Sequence, residues 1–133
     1  MNLEKVKKEV IKTDKAPTPI SEYSQAIRIG KFIFVSGQVG QDPKTGRIVE
    51  GGLEKEIEQL FENIKNILEC AGTSMDNIVK TTILFKDENV YDVYKKVRRK
   101  VFKEKYPAST GAVVGLLGGL GSNIEMDVIA IMS

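Results

Sequence analysis

Six apolar residues, Leu53, Ile57, Leu60, Ile64, Ile67 and Leu68, recur at the spacing of one helix face, and Gly72 follows where a helix cap belongs. This stripe predicts a helix over Leu53–Ala71 with one side that must be covered by a second layer. Strand-like runs on either side can supply that layer. Upstream, Phe32–Val35 is an apolar run of strand length ended by Ser36-Gly37. Downstream, Asn77–Phe85 is rich in β-prone residues. A second stripe, Val90, Tyr94, Val97 and Val101, predicts another helix, capped by Asp87 or Asn89 and running to about Lys105.

The rest of the chain completes a sheet. Val6–Ile11 reads as a short edge strand, and Lys15–Pro19 is extended because proline disfavours helix in its predecessor. Ser24–Gly30 alternates weakly, with Gly30-Lys31 as a hairpin turn. Asp42-Pro43-Lys44-Thr45-Gly46 has turn chemistry. Thr110–Leu117 and Ile124–Met132 read as the last two strands, joined by a glycine-rich turn. The order β-β-β-α-β-α-β-β indicates an α+β fold, with helices on one face of a mostly antiparallel sheet, in one domain over residues 1–133. The final strands carry Val, Leu and Ile on both faces, so the open face of the sheet is expected to bury against copies of the chain.

Composition excludes several chemistries. The 133 residues contain no histidine, which removes the commonest general base and the commonest transition-metal ligand. One cysteine, Cys70, rules out an internal disulfide and a cysteine zinc cluster. Its simplest reading, near the helix end, is a small buried apolar residue. A net charge of +2 is too small to argue for nucleic acid by itself. The N-terminus has no apolar signal core and no run of eighteen apolar residues exists, so a cytoplasmic location is expected.

Four features could carry chemistry. In the last strand Glu125 and Asp127 share a face with Ile129 and Ile131. Acids at the wet end of a half-solvated strand explain that pattern, and so does a general base in a partly dry cleft. Tyr23, in Ser21-Glu-Tyr-Ser-Gln25, either covers a pocket or packs over the core edge. Ser36-Gly37-Gln38 either brings backbone close to a ligand or forms a bulge. The basic residues Lys95, Lys96, Arg98, Arg99, Lys100, Lys103 and Lys105 complement a helix C-terminus or attract phosphates, without interleaved aromatics for base stacking. Gly115–Gly121 lacks the Gly-Lys-Ser/Thr ending and the following helix of a phosphate loop, and reads as a flexible turn.

Several of these segments together resemble the Rid (YjgF) family of small imine deaminases. They are Tyr23-Ser-Gln25, Phe34-Val-Ser-Gly-Gln38, Asp42–Gly46, Ile78-Val-Lys-Thr-Thr82 with Lys86-Asp87, Pro107-Ala108 and Ile124-Glu125-Met126. The resemblance implies a chorismate-mutase-like (bacillus type) fold and a homotrimer whose sheets form a central barrel. It implies pockets between subunits that bind a small-molecule substrate, without metal or organic cofactor. It further implies hydrolysis of 2-imino acids or their enamine tautomers, with Glu125 handling the water. Tyr23, Ser36 and Gly37 would line the pocket with Ser109 and Thr110. Nucleic acid and membranes are not expected partners, although some family members bear an endoribonuclease name.

The chain departs from the family at Ser109, where an arginine ordinarily pairs with the substrate carboxylate. Losing a charge-assisted hydrogen bond costs about 1.5–3 kcal/mol, roughly ten- to a hundredfold in binding. A shifted substrate class, or ligand binding without turnover, is therefore expected. Gly111 falls where many members carry cysteine and leaves room in the pocket. Lys95 or Arg98 on the second helix could restore the cation.

Overall fold

The computed structural model describes residues 6–133. Six strands form one sheet in the order β1-β2-β3-β6-β4-β5. The strands are β1 (Lys8–Ile11), β2 (Ala26–Ile29), β3 (Phe32–Gln38), β4 (Ile78–Phe85), β5 (Ala108–Val113) and β6 (Ile124–Ile131). All pairings are antiparallel except β4 with β5. That parallel pair is joined by the helix α2 (Glu88–Phe102), as a parallel connection requires a crossover. The helix α1 (Leu53–Ala71) has the predicted bounds. The α+β expectation, with helices on one face of a mostly antiparallel sheet, is met.

Local chemistry explains the helix ends. Gly72 adopts φ 93 and donates its N–H to the carbonyls of Glu69 and Leu68. Of the two candidate caps of α2, Asp87 does the work, accepting from the N–H groups of Asn89 at 2.9 Å and Val90 at 3.2 Å. The helix stops at Phe102, short of the expected Lys105, because Lys103 turns to φ 57. The fifth strand also differs from expectation. It starts at Ala108 and ends at Val113, since the glycine-rich segment leaves the sheet early. Cys70 is exposed, with Sγ 3.4 Å from the Lys12 carbonyl, so the expectation of a buried apolar cysteine fails.

The core lies between the helices and the sheet. Ile57, Leu60, Ile64, Ile67 and Leu68 of α1 meet Ile33 and Val35 of β3 and Ile124, Met126, Val128 and Ala130 of β6. Tyr94 of α2 lies between the rings of Phe61 and Phe85, at centroid distances of 6.0 Å and 5.6 Å. The other face of the sheet carries no helix. There Phe32 pairs with Ile131 and Ile29, and Phe34 with Ile129 and Ile27. Phe32 is 50% exposed and Phe34 44%. This is a contiguous apolar surface of the kind that marks an interaction site.

Candidate functional site

The unusual pattern of the last strand has a simple geometric cause. Ile124, Met126, Val128 and Ala130 point at the helices and are buried. Glu125, Asp127, Ile129 and Ile131 point to the open face, at the strand period of two. Glu125 is half-buried there. The strand β3 loses its regular register with β6 between Val35 and Gln38, so Ser36-Gly37 is a bulge inside a strand that continues to Gln38. The bulge brings the Gly37 backbone against the Glu125 carboxylate, where a methyl group would collide with it. Loss of water pushes the Glu125 carboxyl above its ordinary range, and the nearby negative charge of Asp127 adds to the shift.

A small cavity of about 50 Å³ adjoins this carboxylate, with Tyr23, Gln25, Gly37, Leu117 and Leu120 in its wall. The two leucines come from the glycine-rich segment, which thereby shares the cavity with the acid. Tyr23 is 46% exposed, and its hydroxyl accepts from the Ile20 N–H at 3.4 Å. It borders the cavity instead of sealing a core edge. Gln25 is buried. Its amide donates to the carbonyls of Thr13 at 2.9 Å and Pro17 at 3.0 Å, and its oxygen accepts from the Thr13 N–H at 2.7 Å. It pins the proline-rich segment beside the site.

A second buried group holds the other wall. Glu56 of α1 accepts from the Asn123 N–H and from Asn123 Nδ2, each at 2.8 Å, and from Ser122 Oγ at 3.4 Å. These bonds tie the end of the glycine-rich segment to the helix immediately before Glu125.

Ser109 lies elsewhere. It pairs with Thr81, whose hydroxyl donates to Ser109 Oγ at 3.0 Å, on the helix side of the sheet. There a cavity of about 370 Å³ opens between α2 and β5, lined by Phe85, Tyr91, Tyr94, Arg98, Ser109 and Gly111 among others. A methyl on Gly111 would lie 3.0 Å from the Phe85 ring, so glycine keeps this wall clear. Ser109 and Glu125 thus occupy separate cavities on opposite faces within one chain.

The other sequence candidates are distributed as follows. The Ser36 hydroxyl donates to the Ser24 carbonyl at 2.6 Å and its N–H to the Gln25 carbonyl at 2.9 Å, so both groups are occupied outside the cavity wall. The Thr110 hydroxyl accepts from Lys80 Nζ at 2.7 Å and lines neither cavity. Lys95 pairs with Asp92 at 3.2 Å and lies over the Tyr91 ring at 4.9 Å, away from Ser109. Arg98 does line the Ser109 cavity. Among the described residues there is no group of histidine, cysteine or carboxylate side chains arranged to hold a metal. None of the described helices is long and apolar enough to cross a membrane.

A family model described as Endoribonuclease L-PSP matches residues 13–132. The chain belongs to this family, the Rid (YjgF) family. Among its relatives, a RutC family protein of Pyrococcus abyssi is 46% identical over 92% of this chain and 96% of its own length. The human 2-iminobutanoate/2-iminopropanoate deaminase is 40% identical over 93% of this chain and 90% of its own length. The crystal structure of RidA from an Antarctic Psychrobacter superposes with a TM-score of 0.89 at 37% identity, covering 93% of this chain and 99% of that one. The Rid-family fold anticipated from the sequence is therefore established.

Within this Rid-family chain, the sequence assigned no role to Glu56, Gln25 or Thr81. Gln25 and Thr81 stood inside segments that carry the resemblance, and Glu56 showed only as an acid in the first turn of α1, where dipole compensation already accounts for it. Its bonds to residues 122–123 link positions 66 and 67 residues apart, and no local pattern reports them.

Proposed function

We propose that this Rid-family protein hydrolyses reactive imine or enamine intermediates to keto compounds and ammonia. The observation that carries the reading is Glu125, a half-buried acid with a raised pKa, pressed against the bare backbone of Gly37. The named deaminase activity of the human relative agrees with it.

The chemistry asks little of the protein. A protonated imine carbon is already electrophilic, so the protein must orient it and activate one water. Glu125 takes a proton from water as the oxygen bonds to the imine carbon. The resulting carbinolamine receives that proton on nitrogen, and as the C–N bond breaks Glu125 accepts the hydroxyl proton, so the carbonyl forms, ammonia leaves and the acid passes its proton to solvent. A carboxylate whose pKa is raised by burial is a better proton acceptor than a free one and can also return the proton.

The reading includes a homotrimer. The apolar open face supports burial against neighbouring copies, and the all-exposed edge strand β5 supports a neighbour at that edge. In such an assembly the Glu125 cavity of one protomer meets the Ser109 cavity of the next, and the pocket has walls from both. The basic run on α2 gives the endoribonuclease name no comparable support. Lys95 is paired with Asp92, and Lys96 and Lys100 both reach Glu54, at 3.4 Å and 3.1 Å.

The test is ammonia release from imines generated in situ by an amino-acid oxidase, comparing wild type with Glu125→Ala. The reading expects the variant to stay folded and lose turnover. Equal turnover would reject it. Ligand binding by wild type without any ammonia release would identify a binding protein instead.

A further inference from the structure

Among the described residues, Arg98 is a cation with a buried nitrogen that nothing in the chain engages. Its Nε is buried and has no hydrogen-bond partner, a rare state for a folded chain and one that calls for a cause. Among the described residues no carboxylate lies within ion-pair distance of it, while Lys95, Lys96 and Lys100 of the same helix are all paired. Its guanidinium is held over the Tyr94 ring, 5.3 Å from the centroid. Burial pushes the Tyr94 hydroxyl up to about 12, so the ring beneath the cation is a neutral phenol and not a counter-ion.

The guanidinium faces the cavity that contains Ser109 and also borders the adjoining cavity formed with Thr81, Phe102 and Tyr106. Ser109 sits at the boundary of both. Its oxygen accepts from Thr81, which leaves its own hydroxyl proton free to be donated. The acid that shares this cavity wall, Glu88, is exposed and forms no ion pair with Arg98. A planar cation at the cavity wall and a neighbouring hydroxyl donor form a receptor for a planar anion.

We propose that Arg98 is the specificity residue of this pocket and takes the carboxylate of a 2-imino acid, with Ser109 adding one neutral hydrogen bond. The positive charge is delivered from the helix α2 instead of from the strand β5. The neutral side chain at Ser109 is thereby offset by a charge nearby, and carboxylate-bearing imines remain substrates. The proposal rests on the deaminase reading for the identity of the substrate, but not for the existence of the anion site.

The experiment has two arms. In the first, 2-oxobutanoate is titrated calorimetrically into wild type, Arg98→Leu, Arg98→Lys and the double variant Arg98→Leu with Ser109→Arg, each verified as folded by its melting curve. Arg98→Leu should weaken binding about ten- to a hundredfold, Arg98→Lys should restore part of it, and the double variant should recover it. In the second arm, Arg98→Leu should raise KM for 2-iminobutanoate with little change in kcat, whereas Glu125→Gln should lower kcat and leave 2-oxobutanoate binding in place. Equal binding by wild type and Arg98→Leu, or no binding by wild type, overturns the proposal. Arg98-dependent binding without ammonia release would leave the anion site standing and remove the deaminase reading. Glu125-dependent turnover with KM unchanged in Arg98→Leu would do the reverse.

Discussion

The Gly37 backbone and the Glu125 carboxylate are in contact across the β3–β6 pair, with no space between them for a side chain. The bulge that lifts Ser36-Gly37 out of register creates this contact. Gly37→Ala should therefore displace the acid while leaving the core untouched. The expected result is a loss of turnover of about tenfold or more with an unchanged melting temperature, since misplaced catalytic geometry is costly. Retention of full activity would show that the contact is incidental.

The direction of the Glu125 shift sets two pH dependences. As a base it works when deprotonated, so kcat/KM should rise with pH through an apparent pKa above the ordinary 4.5 of a free glutamate. The stability effect has the opposite sense. Between the unfolded and the raised folded pKa, the native state binds more protons than the unfolded state, so stability falls as pH rises through that window. Glu125→Gln removes this penalty. It should melt at or above the wild-type temperature at pH 7, and the difference should vanish below about pH 4.5, where both forms are neutral.

Glu56 shows how the site is held. Glu56→Ala would strip acceptors from the Asn123 N–H and Asn123 Nδ2 in one step, while Ser122 Oγ keeps the Ile124 carbonyl at 2.6 Å. Destabilisation of about 3 kcal/mol is expected in urea titrations at fixed protein concentration, because buried donors lose a charged partner. Activity should fall as well, since residues 122–123 lead directly into Glu125.

The open sheet face offers a third handle. Phe34 lies between Ile27 and Ile129 on that face. Phe34→Asp should convert the proposed trimer to monomers in light-scattering chromatography, since a charge there cannot be buried without a partner. A trimer that persists would show that this surface is not the interface.

The legibility of this fold in its sequence follows from period. The stripe of α1 and the alternation of β6 are local, and both were readable to within a residue or two. The acid at Glu125 stood out because it and Asp127 share a face with Ile129 and Ile131. Interactions between distant segments were not readable. The Gly37 contact depends on a bulge, the Glu56 bonds link residues far apart in the chain, and the opposite-face placement of Ser109 and Glu125 depends on strand pairing. Residue type also does not show how a hydroxyl is engaged: that of Ser36 donates to the Ser24 carbonyl, and that of Thr110 accepts from the Lys80 ammonium. Lys95 and Arg98 are equivalent cations in the sequence, and the structure distinguishes them by the Lys95–Asp92 pair.

The most direct test mixes two defective chains. Glu125→Gln removes the acid, and Ser109→Trp fills the cavity on the opposite sheet face. If each pocket takes one wall from either neighbour, both variants are inactive alone, and trimers reassembled from a one-to-one mixture regain about a quarter of wild-type ammonia release. Mixed trimers that remain inactive, or Ser109→Trp chains that turn over normally by themselves, would contradict a pocket shared between subunits.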